Sequence, residues 1–92
     1  DAGEMLVREM QNNSRLGYLP IGFVDDNPGK IGRRMFGLEV MGSRSDLRRI
    51  IVEERVEEVI VAIPSVPEED LADFFYPCSE LGIPCRRTHS LI

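Results

Sequence analysis

Five consecutive apolar residues, Val59-Ile60-Val61-Ala62-Ile63, stand between Glu57-Glu58 and Pro64. A strand without alternation has no solvent face, so other elements must cover it on both sides. In a chain of 92 residues, a parallel sheet with helices packed on both faces supplies that cover. The run is far shorter than the roughly 20 apolar residues that span a bilayer.

The rest of the chain supplies the helices. Residues 3–13 carry Met5, Leu6 and Met10 as the expected apolar face of a first helix, with Arg8 and Glu9 largely off it. Asn12-Asn13-Ser14 and Gly17 read as its stop and turn. Residues 18–24, Tyr-Leu-Pro-Ile-Gly-Phe-Val, read as a short buried strand ending at Asp25-Asp26. A polar loop over residues 25–37 follows, with Gly29, Gly32 and Gly37 among Lys30, Arg33 and Arg34, then a brief strand over 38–41. Ser43 with Asp46 three residues later forms a capping box for a second helix, whose buried face is Leu47, Ile50 and Ile51 and which fades near Arg55. Ser65 and Glu68 repeat the pattern, with Pro67 acceptable in the first turn. Leu71, Phe74, Phe75, Cys78 and Leu81 recur at helical spacing, and Gly82 stops that third helix. Pro77 removes one donor inside it and predicts a kink, at a cost of about 3 kcal/mol. Residues 84–88 read as a last strand.

The order α–β–(β)–α–β–α–β predicts an α/β fold, a Rossmann-like doubly wound parallel sheet. In such folds a strand precedes the first helix and lies centrally in the sheet. Without it two rows of backbone groups go unpaired. The expectation is therefore a single domain over residues 1–92, truncated at its N-terminus, with the first strand upstream.

Asp1-Ala2-Gly3 opens the first helix, and Asp25 follows Gly3 by 22 residues. In the fingerprint G-x-G-x-x-G the third glycine allows close helix–strand packing, and an acidic residue about 20 positions on accepts hydrogen bonds from the adenosine ribose. Gly3 fits that third glycine, and the first two would lie before Asp1. Asp25, or as second choice Asp26, fits the ribose carboxylate. The helix start at Asp1, Ala2 and Gly3 would then offer free N–H groups to a phosphate. Ile63-Pro64-Ser65 ends the fourth strand, where the ligand crevice of such folds opens. Two plainer roles stand beside these: Asp25-Asp26 as a solvated turn, and Ser65 as a helix cap. Lys30, Arg33 and Arg34 could reach a phosphate, although a solvated loop accounts for them equally, and Arg86 and Arg87 read as surface groups.

No catalytic set is present: Tyr18 is followed four residues on by Gly22 and Tyr76 by Glu80, so there is no Tyr-x-x-x-Lys pair. His89, the one histidine, has no partner placed by a motif, and Cys78 and Cys85 lack the spacing of zinc ligands, so no metal is expected. The two cysteines read as buried thiols of a reducing compartment. A net charge of −5 argues against nucleic acid or an anionic membrane surface as the partner of this segment.

Taken together, Asp1-Ala2-Gly3-Glu4, Leu16-Gly17-Tyr18, Gly22 through Pro28, Gly32-Arg33-Arg34, Val40-Met41-Gly42-Ser43, Glu57 through Ser65 and Ser90-Leu91 resemble the nucleotide-binding domain of CapD-like polysaccharide-biosynthesis proteins, the sugar-nucleotide 4,6-dehydratases and epimerases. The resemblance covers nearly the whole chain. It implies a cytoplasmic accessory domain within a bacterial capsule or polysaccharide enzyme that is anchored in the inner membrane. The partners it implies are a nucleotide ligand and a short-chain-dehydrogenase-type catalytic domain in the parent chain, with a second copy of the chain also considered. NAD is the first cofactor expected, ahead of NADP and a CoA-like nucleotide; against NADP, a 2′-phosphate would meet the like charge of the acidic residue that ends the second strand. His89 and Pro77 depart from the family pattern. A similar domain occurs in membrane sugar-phosphate transferases that load undecaprenyl phosphate, which leaves a regulatory role open. A structural or oligomerisation domain that binds nothing is the other alternative.

Overall fold

A computed structural model describes residues 2–62 and 66–88. Three helices, α1 (Ala2–Asn12), α2 (Leu47–Glu53) and α3 (Ala72–Leu81), alternate with five strands. The strands are β1 (Phe23–Val24), β2 (Arg34–Met35), β3 (Leu38–Gly42), β4 (Val59–Ala62) and β5 (Cys85–Thr88). The fold is the expected Rossmann-like α/β arrangement. Both long-range pairings are parallel: β1 with β3, Phe23 opposite Val40, and β4 with β5, Val59 opposite Cys85.

The sheet is not continuous. β1, β3 and β2 make one three-stranded sheet, with β1 and β2 at its edges, and β4 and β5 pair as a second.

Side-chain alternation sorts the core into two layers. Val61 of β4 is buried with Leu47 and Ile51 of α2 and Phe74 and Cys78 of α3, while Val24 and Val59 pack against the same cluster. Ile60 and Ala62 therefore point to the other face, where α1 packs on β4 with Leu6 and Val7 buried. Leu47, Ile50 and Ile51 form the buried face of α2, as expected.

Several local expectations are corrected. Met5 is 69% exposed; at 100° per residue Leu6, Val7 and Met10 share an arc with Gly3, and Met5 lies across from it. The strand expected over 18–24 shrinks to Phe23–Val24, with Leu19 87% exposed. Pro20 has no N–H to give a ladder, and pairing with β3 begins only at Phe23. The loop over 25–37 contains strand β2, antiparallel to β3, so the sheet is mixed rather than wholly parallel. Phe36 and Gly37, with φ of 54° and 80°, make the two-residue turn between them, the left-handed pair that suits a hairpin's twist. Phe75 and Leu81 are exposed while Pro77 is buried, because the inward arc of α3 centres on Phe74 and Cys78.

The start of α2 and the C-terminal stops follow their sequence signals, whereas the helical turn leading into α3 has Pro67 at its N-cap rather than in its first turn. The Asp46 carboxylate accepts from the backbone N–H of Ser43 at 3.0 Å, and one 3-10 turn leads from there into α2. Arg55, at φ 53°, closes α2, and the N–H of Val56 returns to the carbonyl of Ile51 at 3.0 Å. α3 continues across Pro77 and ends at Gly82, φ 74°. Gly17 closes the turn after α1 at φ 76°.

Candidate functional site

The ligand side of such a fold lies at the C-terminal ends of its parallel strands. β1 ends there at Asp25, whose N–H still joins the ladder by donating to the carbonyl of Gly42 at 3.0 Å. Asp25 and Asp26, adjacent in sequence, go to opposite faces. Val24 belongs to the α2–α3 core, so Asp26, two residues on, follows it to that side. There Asp26 meets Arg44, which donates from its backbone N–H to Oδ1 at 3.0 Å and from Nε to Oδ2 at 2.5 Å.

Asp25 turns to the α1 side. Its Oδ1 accepts from the N–H of Asn27 at 2.9 Å, and Lys30 Nζ stands 3.6 Å from Oδ2. Glu4, in the first turn of α1, lies within electrostatic range of both Lys30 and Asp25. Of the expected site elements, the Asp25 carboxylate and the first turn of α1, which contains Ala2 and Gly3, are thus linked by an electrostatic interaction through Glu4. Asp26 is not part of that set. Asp1, Ile63, Pro64 and Ser65 lie outside the described residues, as does His89.

The loop after β1 is built on side-chain caps. Asn27 Oδ1 accepts from the N–H of Gly29 at 2.9 Å, and the N–H groups of Lys30 and Arg33 return to the carbonyls of Asn27 and Lys30. Its basic residues do not converge. Arg33 and Arg34 are exposed, and Arg34 Nη2 donates to the Gly37 carbonyl at 2.7 Å, bracing the hairpin turn.

Arg44 is the residue that sequence reasoning passed over. Besides Asp26 it reaches Asp73 at 3.1 Å and Asp70 at 3.5 Å, both at the start of the third helical segment. Its Cζ sits 5.1 Å from the centre of the Phe74 ring. Burial disfavours its charge, but the hydrogen bonds it donates to Asp26 and Asp73 outweigh that and hold its pKa above the ordinary guanidinium value. In the sequence it is one basic residue at a helix start, and partners 18 and 29 positions away leave no local signal.

A surface depression of about 440 Å³ between α2 and α3 is lined by Arg44, Arg48, Asp73 and Tyr76. A smaller one, of about 190 Å³, lies beside Glu39, Met41, Arg49 and Ile50. Neither includes Gly3 or Asp25. Among the described residues no group of side chains could hold a metal ion, and no helix is long and apolar enough to cross a membrane.

The thiols stand apart from this edge. Burial pushes the Cys85 thiol up to about 12, with Cys78 and Glu58 adding to the shift, and burial raises Cys78 also. Both are free, and neither is activated as a nucleophile.

Residues 1–86 match the family model described as a CoA-binding domain. The chain belongs to that family. Among curated proteins, this CoA-binding domain is 25% identical over 81 residues to the probable polysaccharide biosynthesis protein EpsC of Bacillus subtilis, covering 88% of the domain and 14% of EpsC. It is 34% identical over 71 residues to the redox-sensing transcriptional repressor Rex of Desulforamulus reducens, covering 77% of the domain and 33% of Rex. The chain thus spans a third or less of these relatives. No solved structure matches it.

Proposed function

We propose that the chain is an accessory nucleotide-binding domain of a bacterial polysaccharide-biosynthesis enzyme, a sugar-nucleotide 4,6-dehydratase or epimerase, and that it takes an NAD-type dinucleotide. The likeness to EpsC supports the setting. One observation supports the site: Asp25 ends β1, and Glu4 in the first turn of α1 lies within its electrostatic range. The α1 amides around Ala2 and Gly3 would meet the phosphates, and the Asp25 carboxylate the adenosine ribose. Residues 63–65 would line the crevice beyond β4. Asp26, held by Arg44, is a structural group in this reading.

The domain binds and positions, and the chemistry belongs to a catalytic domain elsewhere in the parent chain. That parent would be anchored at the inner membrane, with this domain on the cytoplasmic side. CoA is the competing ligand, favoured by the family's description.

The test is calorimetric titration of NAD, NADP, CoA and UDP-sugars. It uses residues 1–92 and the same domain carrying about 15 further natural residues ahead of Asp1, enough for one strand and a turn. Saturable NAD binding by the longer chain, lost in Asp25→Ala, is the expected result. Saturable CoA binding in its place reassigns the ligand. No binding to any of them leaves a positioning scaffold as the function.

A further inference from the structure

A further step, which rests on the nucleotide-binding reading, concerns which ribose the site accepts. β1 and β3 are parallel neighbours, so the segments that follow them leave the sheet side by side. Asp25 ends one, and Arg44 comes two residues after the end of the other. An arginine at this edge is what a ribose phosphate needs as counter-ion.

Arg44 is not free to serve. Asp26 grips it at backbone N–H, Nε and Nη2, so the carboxylate fixes both the chain and the head group. Asp73 and Asp70 stand at Nη1, and the Phe74 ring lies beneath the guanidinium plane. Three carboxylates surround one cation. The edge beside Asp25 therefore presents excess negative charge, although it contains an arginine.

We propose that the Asp26–Arg44 pair is a specificity latch: closed, it makes the site accept a nucleotide with free ribose hydroxyls and reject a phosphorylated ribose. Opening the pair turns Arg44 into a ligand for that phosphate. The choice between Asp25 and Asp26 then becomes a division of labour. Asp25 receives the ribose hydroxyls, and Asp26 keeps the neighbouring cation out of reach.

Two ligand pairs that differ only by a ribose phosphate isolate the effect: NAD with NADP, and dephospho-CoA with CoA. The readout is the Kd ratio within each pair, measured on the longer domain. The native latch should favour the unphosphorylated member by roughly tenfold or more, the scale of a dianion held near the surplus carboxylate charge around Arg44 in partly screened surroundings. Asp26→Asn should bring the ratio to about unity or reverse it, mainly by strengthening the phosphorylated member, because Arg44 then gains a charge-assisted contact. Asp26→Asn combined with Arg44→Gln should restore discrimination, since no cation remains to be released. If Asp26→Asn does not fold, Arg44→Lys, which keeps the charge but loses the planar fork, should shift the ratio in the same direction.

An unchanged ratio in a variant that still binds the unphosphorylated member overturns the latch and leaves the nucleotide reading standing. A shift that persists without Arg44 also overturns it, because removal of one negative charge then explains everything. Native preference for the phosphorylated members overturns it as well. Absence of binding by all four ligands defeats the nucleotide reading, and the latch with it.

Discussion

Phe74→Ala should be the most damaging truncation in the α2–α3 layer. Phe74 is 9% exposed and packs with Leu47, Ile51, Val61 and Cys78, so its ring joins α3 to α2 and to β4. It also lies under Arg44, which reaches the end of β1 through Asp26. Loss of a buried phenyl ring costs about 3–5 kcal/mol, part transfer and part cavity. Native domains retain about 0.05–0.15 kcal/mol per residue, or roughly 5–14 kcal/mol for a chain of 92 residues. The truncation thus removes from about a fifth to nearly all of the stability. With about 4–8 °C lost per kcal/mol in a domain of this size, Tm should fall by at least about 12 °C. Phe74→Leu keeps most of the apolar volume and should cost only about 1–2 kcal/mol. The assay is urea unfolding of the three proteins at one pH, with the m-value as check that the transition stays two-state. A double-mutant cycle with Arg44→Gln should show coupling of about 0.5–1 kcal/mol, the scale of a part-exposed cation over a ring. A loss below about 1 kcal/mol for Phe74→Ala would refute the claim that this ring organises the layer.

Two further outcomes follow from the same structure. The Cys85 pKa, at about 12, lies above that of an unfolded thiol, near 9. The folded form keeps a proton that the unfolded chain gives up, so this stability is complete below about pH 9 and is lost as pH rises towards 12. Urea unfolding from pH 8 to 11 should therefore fall less steeply for Cys85→Ala than for the native chain, and parallel curves would contradict the burial of that thiol. Gly42→Ala puts a Cβ 2.6 Å from Asp46 Oδ2 and 3.0 Å from Asp46 Cβ. The side chain must leave the Ser43 N–H, so Tm should drop by several degrees in the native background and by much less in Asp46→Ala; equal drops in both would place the damage elsewhere.

Legibility divided along the range of the interactions. Caps and stops were local and were read correctly: Ser43 with Asp46 for α2, Gly17 after α1, Gly82 after α3. The unalternating run at 59–63 gave away a parallel strand whose described part, Val59–Ala62, pairs with Cys85–Thr88. Met5 was misplaced because two methionines and a leucine look alike on a wheel until the helix has a neighbour. The face that docks on β4 turned out to be centred on Leu6 and Val7. Strand β2 was hidden inside a segment rich in glycine and arginine, although Phe36-Gly37 between Met35 and Leu38 was a turn signal that could have found it. At the site, the spacing from Gly3 to Asp25 was visible. The choice of Asp25 ahead of Asp26 was made there too; the grip of Asp26 on Arg44 was not visible, because Arg44 comes from another strand end.

That choice bears on how an acidic domain could hold an anionic ligand at all. With net charge −5, long-range attraction works against any polyphosphate, and affinity must come from short-range groups. Of the cations beside the proposed crevice, Lys30 stands 3.6 Å from Asp25 and Arg44 faces three carboxylates. Neither offers uncompensated charge. What remains for phosphates is backbone: the amides at the start of α1, aligned along the helix and requiring no basic residue. Affinity that comes from amides varies little with salt, whereas affinity from basic side chains weakens steeply because screening falls on exposed charges. The nucleotide affinity of the longer domain should therefore change by less than about threefold between 50 and 300 mM salt. A tenfold loss over that range would show that Lys30 or Arg44 abandons its carboxylate to bind phosphate, and that the ion pairs at this edge are exchanged on binding rather than kept.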